Sequence, residues 1–290
     1  DSSAIPTYYV SKETRKYVTV ALNGDGGDES FAGYERHVAM QIAETYKRIP
    51  KVLRKALIES PVNLLPTSEL KRSRFRDAKR FLQAANLPKT ERYFRWMSTF
   101  NRDAKLDLYT KDFAASVFDH NPSAYLDRWF AKANGSGILD AALLTDQMTY
   151  LPNDLLVKVD IASMANSLEA RSPFLDHKLI EFAATLPEDL KTRRFQTKSL
   201  LKKVAARLVP KEVVYRRKMG FGVPIGKWFR EDLKDFVRSV LLSEKSLTRG
   251  IVKREMLEKY VNEHTNGERD HSFQLWTLLM LELWFQRFID

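Results

Sequence analysis

Residues 23–29 bring three carboxylic acids and three glycines into one short stretch, Asn-Gly-Asp-Gly-Gly-Asp-Glu. Glycines let the backbone turn tightly, and a turn that leads into a helix leaves backbone N–H groups free to bind phosphate oxygens. A carboxylate beside a polyphosphate is repelled unless a Mg²⁺ ion lies between them. The stretch therefore predicts a phosphate and Mg²⁺ site with Asp28 as a metal ligand. A plain structural turn is the alternative that the spacing leaves open.

A calcium-binding loop does not fit the same residues. Asn23 and Asp25 alternate as calcium ligands would, but the third such position is occupied by Gly27. Asp28 replaces the glycine that a calcium loop needs for its turn, and Tyr34 stands where a bidentate Glu belongs. The pattern therefore favours a magnesium–phosphate site over a calcium site.

Hydrophobic patterns predict the elements around this stretch. Residues 18–22, Val-Thr-Val-Ala-Leu, are apolar and partly β-branched, which predicts a short, buried parallel strand. A helical pattern runs from about Glu29 to Lys47. From residue 50 to residue 290 the pattern is overwhelmingly helical, and prolines mark helix edges or loops. The order of strand, glycine turn and helix places the acids where a helix begins.

The segment 150–187 has the spacing of a helix, a turn and a second helix, with charges among its apolar residues. Its charged residues include Asp154, Lys158, Asp160, Glu169, Arg171 and Asp176. We expect several of them on or near buried faces, where charges must be paired. One interpretation is a structural ion-pair network, such as Arg171 with Glu169 or Asp176. The other is a wall of a substrate pocket, and the spacing alone does not separate the two.

Composition limits the class of protein. The chain has 290 residues and no cysteine, which excludes disulfides, thiolate metal sites and a cysteine nucleophile. No apolar run approaches the roughly 20 residues of a membrane helix, and we expect no signal peptide and a cytoplasmic location. The net charge of +11 could attract nucleic acid. We interpret the densest basic run, 71–80, as a solvated helix face, so nucleic-acid binding is not the favoured function.

Four separated segments carry a more specific signal. Residues 22–37, 150–177, 215–229 and 275–284 read LNGDGGDESFAGYERH, YLPNDLLVKVDIASMANSLEARSPFLDH, YRRKMGFGVPIGKWF and LWTLLMLELW. Together, and in this order, they resemble the synthetase domain of glutamine-dependent asparagine synthetases. The resemblance extends over the chain from its first residues to its last.

The resemblance implies a mainly α fold. The chain would be the helical C-terminal portion of an α/β domain of the ATP-pyrophosphatase (adenine nucleotide α-hydrolase-like) type, with few strands. The family's phosphate loop, of the form S-G-G-x-D-S, and the cysteine of its glutaminase are absent from the sequence. We therefore expect residues 1–290 to be a partial synthetase domain. Residues 1–50 would be the remnant of its nucleotide-binding core and residues 51–290 its helical region.

The resemblance also implies a reaction and its partners. Family members use ATP and Mg²⁺ to adenylate a carboxylate, which in the parent case is the side chain of aspartate. Ammonia that an N-terminal glutaminase releases from glutamine then displaces AMP and gives the amide. We expect the chain to be inactive without the glutaminase portion and the phosphate loop. We also expect little extended sheet, an apolar patch around residues 18–34, and a homo-oligomer that covers it.

Five residues match family positions that contact the nucleotide, its phosphates or the metal. Asn23 and Gly24 fall where the family usually has a Ser-Gly pair that touches the nucleotide. Asp28 falls on the second Mg²⁺ ligand, since the first belongs to the missing loop. Lys218 matches a lysine on a mobile loop, whose charge would stabilise the pentavalent phosphorus and the leaving pyrophosphate. Lys198 would add a further phosphate contact.

Three residues match family positions on the acceptor side. Asp25 falls where asparagine synthetases often have a Glu, and its carboxylate could take a proton from the attacking nitrogen. Asp160 matches an acid that lines the substrate side, and Ser163 sits where some members carry an Arg near the amino acid. These departures, with Asn23 in place of Ser, leave the identity of the carboxylate open. The alternatives are an amidotransferase for a sugar carboxylate of surface polysaccharides and, remotely, a basic helical nucleic-acid-binding module.

Overall fold

The structure is a computed structural model that describes residues 1–64, 74–117, 119–133, 135–216 and 220–290. Its internal contacts divide the chain into two compact units. Unit 1 comprises Asp1–Ile58, Gln83–Trp96 and Ser123–Val223. Unit 2 comprises Glu59–Leu82, Met97–Pro122 and Pro224–Asp290. Unit 1 thus joins the start of the chain to two later segments, and the assignment of residues 1–50 to a nucleotide-binding core stays a prediction.

Helices form most of the described chain. In chain order, α1–α11 are Ala4–Thr14, Gly27–Phe31, Glu35–Lys47, Lys51–Arg54, Ser60–Leu64, Arg74–Ala85, Lys89–Met97, Arg102–Leu108, Lys111–Val117, Ala124–Lys132 and Ile138–Met148. Helices α12–α21 are Leu156–Met164, His177–Thr185, Glu188–Lys191, Ser199–Ala205, Lys211–Val214, Ile225–Arg230, Lys234–Leu241, Glu244–Thr248, Arg254–Thr265 and Ser272–Phe288. Two π-helical segments, Lys55–Glu59 and Leu151–Leu155, and a 3₁₀ segment, Pro173–Leu175, lie between them. The predicted mainly α fold is confirmed.

The sheet in the described part of the chain consists of two short parallel strands in unit 1. Strand β1, Val20–Leu22, pairs with β2, Glu169–Arg171, so that Ala21 lies opposite Ala170. The predicted strand at 18–22 is therefore present and parallel, but the prediction that it is buried was wrong. Alternate residues of a strand share one face, and the face that carries Val20 and Leu22 is open, with Leu22 74% exposed. The expected apolar patch is confined to this end of 18–34, since Phe31 is buried.

The helix predicted over 29–47 is in fact two helices, α2 and α3. Ala32 ends α2 with a left-handed backbone, φ +58°, and the Gly33 N–H donates to the Asp28 carbonyl at 2.8 Å. A side chain at position 33 would overlap Asp28 and Lys198, so the chain can turn here only because Gly33 lacks a Cβ. The break separates the short helix that carries Asp28 from the longer α3.

The segment 150–187 differs from its prediction in two ways. The predicted turn contains strand β2, so the order is helix, strand, helix. The expectation of charges on or near buried faces was wrong for Asp160, Glu169, Arg171 and Asp176, which are exposed, whereas Asp154 and Lys158 are half-buried. Glu169 and Arg171 do pair, at 2.7 Å, but on the open face of β2. Asp176 caps α13, where its Oδ1 accepts from the Lys178 N–H at 2.9 Å. Most charges of this segment are thus exposed, whereas Lys158, whose side chain is 13% exposed, is paired with Asp1.

Each unit has its own packing. In unit 1, α11 packs against α3 and α10, and α12 packs against α1. In unit 2, α21 buries Leu275, Leu278 and Leu279 against apolar residues of α17, α18 and α20. Among the described helices, none combines the length and the apolar character needed to cross a membrane.

Candidate active site

The turn after β1 is fixed by hydrogen bonds to the residues that follow β2. The Asn23 N–H donates to the Arg171 carbonyl at 2.8 Å and continues the pairing of the two strands by one residue. The Asn23 side-chain Oδ1 accepts from the Ser172 hydroxyl and, at 3.3 Å, from the Asp25 N–H. Gly26 has φ +89°, and a Cβ there would overlap a side chain of the 3₁₀ segment. Asn23 therefore bridges the two strand ends, and Gly26 lets them approach.

Asp25 is half-buried on this turn. Its Oδ2 atom is buried and has no hydrogen-bond partner in the described part of the chain. Burial raises the pKa of Asp25, the positive charge of Lys158 opposes that rise, and the negative charge of Asp28 adds to it. The neighbouring Gly24 is exposed, and its bare Cα faces open space. The turn thus holds a buried carboxylate oxygen that forms no hydrogen bond with the described residues.

Asp28 on α2 forms an ion pair with Lys198, the residue before α15. The Asp28 Oδ1 and Lys198 Nζ atoms are 2.8 Å apart, and the two side chains are 23% and 26% exposed. The pair lies over Gly33, because a Cβ on Gly33 would overlap both Asp28 Oδ1 and Lys198 Cε. Lys198 has φ +53°, a conformation that is unfavourable for residues with a side chain. The structure thus brings the predicted metal ligand and the predicted phosphate contact together, on a strained backbone.

Two of the three predicted acceptor-side residues, Asp160 and Ser163, lie on α12, whereas Asp25 lies on the turn. Asp160 is exposed, whereas Ser163 is 2% exposed. The Ser163 hydroxyl donates to the Asp160 carbonyl at 3.3 Å, which is a bond within its own helix. Asp160 and Ser163 therefore do not join the pair that Asp28 forms with Lys198.

Lys158, also on α12, belongs to the site but was predicted only as one of the charges of its segment. Its Nζ donates to the Ser3 hydroxyl at 2.9 Å and lies 3.2 Å from Asp1 Oδ2. Its charge lowers the pKa of Asp25, so the ammonium lies within electrostatic reach of that carboxylate. Sequence reasoning had no local signal for this role, because Lys158 and Ser3 are 155 residues apart.

The whole chain can be compared with known proteins. The family model for asparagine synthase matches residues 1–286. The chain belongs to the asparagine synthase family. It is 32% identical, over 98% of its length, to glutamine-hydrolyzing asparagine synthetase 1 of Bacillus subtilis, of which it covers 43%. It is 31% identical, over its full length, to a putative glutamine-hydrolyzing asparagine synthetase of Mycobacterium bovis, of which it covers 42%.

A more distant relative is the amidase chyE of Penicillium rubens, which is 22% identical over 81% of the chain. No solved structure matches the chain. The resemblance noted in the four sequence segments is confirmed. The chain spans less than half the length of the asparagine synthetases that it matches.

Two predicted features, the Lys218 loop and part of the basic run, lie wholly or partly outside the described residues. Lys218, and residues 71–73 of the basic run, lie outside the described residues. In the parts of the chain that the structure describes, no group of three or more His, Cys, Asp or Glu side chains could hold a metal ion. A metal at Asp28 would therefore need ligands besides the side chains of the described residues, such as phosphate oxygens or water.

A second set of polar side chains lies beneath the turn, and sequence reasoning missed it. We call Glu29, Tyr34, Arg36, His37 and Asp146 the buried network. Asp146 is fully buried and lies 2.8 Å from Arg36 Nη2 and 2.8 Å from His37 Nε2. The Tyr34 hydroxyl donates to Glu29, the neighbour of the predicted metal ligand. Asp146 is 109 residues from His37 in sequence, so no spacing could reveal the contact.

Burial and pairing shift the pKa values of the titratable groups in the buried network. Burial lowers the pKa of His37, even though its hydrogen bond to Asp146 opposes the change, so the imidazole is neutral at pH 7. Burial acts to raise the pKa of Asp146, but His37 and Arg36 together hold it below its usual value. Burial raises the pKa of Glu29 despite the hydrogen bond from Tyr34. Arg36 and Asp146 thus form an oppositely charged pair within the network, with their side chains 2.8 Å apart.

Proposed function

We propose that this chain is part of the synthetase domain of a glutamine-dependent ligase that uses ATP to convert aspartate to asparagine. The carboxylate would be activated as an acyl-adenylate, and ammonia from glutamine would displace AMP. The observation that carries the proposal is the turn after β1. There Asp28 pairs with Lys198, and the negative charge of Asp28 acts on the nearby carboxylate of Asp25. Membership of the asparagine synthase family supports the same reaction. The glutaminase would be supplied by the N-terminal portion of a longer protein.

The residues at the turn fit a magnesium–nucleotide complex. Mg²⁺ in such sites is held by one or two carboxylates together with substrate phosphates and water, not by a cage of side chains. Asp28 offers one such carboxylate at a position about a quarter exposed. The bound ion would neutralise negative charge on the phosphates of ATP. The Lys198 ammonium, next to the same carboxylate, would bind phosphate oxygens, and Lys218 would do so from its own segment.

Asp25 is the proposed general base. The attacking ammonia must lose a proton when it bonds to the acyl carbon, and a carboxylate within reach can accept it. The Oδ2 atom of Asp25 has no hydrogen-bond partner among the described residues, and the pKa of the group is raised by burial. Both features favour proton uptake. Asn23 and Gly24 would border the nucleotide, and the open space at Gly24 leaves room for it.

A second candidate is an amidotransferase that acts on a sugar carboxylate. The observation that favours it is Ser163, which stands where some family members carry an Arg near the amino acid. A serine offers no cation to the α-carboxylate of aspartate, and the Ser163 hydroxyl donates to its own helix instead. Asp160, exposed on the same helix, would then face a neutral, hydroxyl-rich acceptor.

The open face of β1 is the proposed contact for the missing portion of the longer protein. Val18, Val20 and Leu22 are each more than a third exposed. Apolar strand faces of this kind associate unless they are covered. We expect the chain by itself to self-associate and the longer protein to cover this face. Sedimentation equilibrium of the chain with Leu22→Lys, beside the unchanged chain, measures the contribution of the face.

The experiment that tests the proposed function is pyrophosphate release by the full-length protein. The protein is incubated with ATP, Mg²⁺ and glutamine and with either aspartate or a uronic acid. Release that depends on aspartate supports asparagine synthesis, and release that depends only on the uronic acid supports the second candidate. Asp28→Asn should stop release while glutaminase activity continues. Asp232→Asn, which changes an exposed aspartate of unit 2, is the matched control.

A further inference from the structure

We propose that the buried network sets the orientation of α2 and so aims Asp28 at its metal, which makes Tyr34 and Arg36 positioning residues. The inference rests on the proposed function, because it concerns the proposed metal ligand. Helix α2 has five residues, Gly27–Phe31. Isolated helices shorter than about 12–15 residues are marginal in water. The direction in which α2 presents its side chains must therefore come from contacts with other elements.

Glu29 is the residue of α2 that joins the helix to the buried network. It is 1% exposed, whereas the side chain of its neighbour Asp28 is 23% exposed. Successive residues of a helix point about 100° apart, so fixing Glu29 on the inner side fixes the direction of Asp28. Two bonds hold Glu29: the Tyr34 hydroxyl donates to its carboxylate, and Gln147 Nε2 donates to its backbone carbonyl at 3.2 Å.

Tyr34 is itself held by a chain of contacts that begins on α11. The Arg36 guanidinium lies 3.9 Å above the centre of the Tyr34 ring. Arg36 is anchored by Asp146, 2.8 Å away, and by the Tyr93 hydroxyl, 2.9 Å away. Asp146 lies on α11 and is fully buried, so this anchor is rigid. The contacts thus run from α11 through Arg36 and Tyr34 to Glu29, the neighbour of the metal ligand.

A purely structural role would have a different signature. If the network only stabilised the fold, a variant in it would lower stability, and the molecules that remained folded would bind metal normally. If the network aims Asp28, the folded variant would bind metal less tightly. Partners that orient a metal ligand typically change metal affinity by about 10–100-fold when they are removed. Metal affinity in the folded protein therefore separates the two roles.

The test uses Mn²⁺ as the probe and electron paramagnetic resonance as the measurement, on the full-length protein with a non-hydrolysable ATP analogue. Tyr34→Phe removes one hydroxyl and keeps the ring under Arg36. We expect it to weaken Mn²⁺ binding about tenfold, with glutaminase activity unchanged. Glu29→Gln retains an oxygen that can accept from Tyr34, so it should bind Mn²⁺ nearly as well as the wild type.

Tyr150→Phe is the matched control. Its ring also faces Arg36, 4.8 Å from the guanidinium, and it lies 5.9 Å from the Tyr34 ring. Among the described residues, no hydrogen bond joins its hydroxyl to the network. The control should therefore bind Mn²⁺ like the wild type. If Tyr34→Phe fails to fold, Gln147→Met removes the other bond to Glu29 and should weaken Mn²⁺ binding in the same direction.

The possible results are distinguishable. Equal Mn²⁺ affinity in folded Tyr34→Phe and Tyr150→Phe, with loss in Asp28→Asn, overturns the positioning role alone. Loss in Glu29→Gln as large as in Asp28→Asn, with none in Tyr34→Phe, also overturns it, because Glu29 would then be a ligand itself. Unchanged binding in Asp28→Asn overturns the proposed metal site and this inference with it.

Discussion

Two ion pairs of the molecule, one in each unit, are built in opposite ways. In unit 2, Arg249 binds Glu282 with two hydrogen bonds of 2.7 and 3.0 Å, and its guanidinium lies 4.4 Å from the centre of the Phe285 ring. In unit 1, Lys198 meets Asp28 through one contact of 2.8 Å and does so from a left-handed backbone. The pair of Arg249 with Glu282 is bidentate, with a planar guanidinium facing a planar carboxylate. The pair of Lys198 with Asp28 is a single contact made by an ammonium group on a flexible side chain.

The difference separates a structural pair from one suited to exchange. A bidentate arginine pair is specific in geometry, so replacing either partner disrupts packing around it. A lysine ammonium can turn from a carboxylate to a phosphate without changing its backbone. Backbone strain lowers stability, and it tends to be retained at positions that serve function. The comparison therefore supports a structural role for Arg249 and Glu282 and the proposed chemical role of Asp28 and Lys198.

The largest expected effect tests both halves of that assignment. In the full-length protein, Asp28→Asn should reduce Mg²⁺-dependent pyrophosphate release to background, because a neutral amide is a poor ligand for Mg²⁺. Its melting temperature should stay close to that of the wild type. Glu282→Gln should do the reverse, lowering the melting temperature while the folded enzyme keeps its rate. Normal release in Asp28→Asn would show that the metal role is wrong.

Removing Lys198 should have the next largest effect. Lys198→Asn removes the cation and replaces it with a residue that tolerates a left-handed backbone. Pyrophosphate release should fall about 100-fold, as for the loss of one group that stabilises transition-state charge. Stability should be unchanged or higher by up to about 1 kcal/mol, since strain is relieved and a partly exposed ion pair contributes little.

Lys203→Asn is the control for this change, because Lys203 is an exposed residue of α15, the helix that begins directly after Lys198. Its removal lowers the local positive charge without touching Asp28. The rate of pyrophosphate release should be nearly normal. A loss of rate as large as that of Lys198→Asn would mean that general charge, and not the position of Lys198, matters to the reaction.

Local chemistry explains why part of this site could be predicted. The glycine turn after the strand and the carboxylates within it, including Asp28, follow from adjacent residues, whereas Lys198 was predicted only from the family resemblance. Their contact is a different matter, because it brings together residues far apart in the chain over the bare Cα of Gly33. The buried network was missed for the same reason, since Arg36 and Asp146 are 110 residues apart.

The errors in the fold also have physical causes. A continuous helical pattern over 29–47 concealed the left-handed Ala32, because nothing in an alanine indicates a positive φ. Strand β2 was predicted as a turn, since a strand of three residues has too little pattern to recognise. β1 was correctly identified as parallel, but its burial depends on what covers Val20 and Leu22, which a pattern of apolar residues does not reveal.

Gly33→Ala should have an intermediate effect. A Cβ at this position would overlap Asp28 Oδ1 and Lys198 Cε, so the ion pair must open or the turn must shift. Overpacking of this kind costs about 1–3 kcal/mol of unfolding free energy. Denaturant unfolding measures that cost. Gly222→Ala is the matched control, because a Cβ there meets open space. Equal stability of the two variants would mean that the turn is not tightly packed around Gly33.

The smallest expected effect concerns acid stability in unit 2. Asp290 accepts hydrogen bonds from Arg249 of 3.0 and 2.6 Å, and these bonds are the main reason that its pKa is lowered to about 2. An unfolded aspartate has a pKa of about 3.9. Because the folded value is the lower one, this contribution to stability is present above about pH 4 and is lost as the pH falls towards 2.

The melting temperature of Asp290→Asn should therefore be below that of the wild type near neutral pH and should converge with it in acid. Asp232→Asn, at an exposed position for which the described residues show no ion pair, should give a difference that does not vary with pH. If the difference in melting temperature between Asp290→Asn and the wild type stays constant over the same pH range, the charge of the Asp290 carboxylate does not stabilise the fold through Arg249.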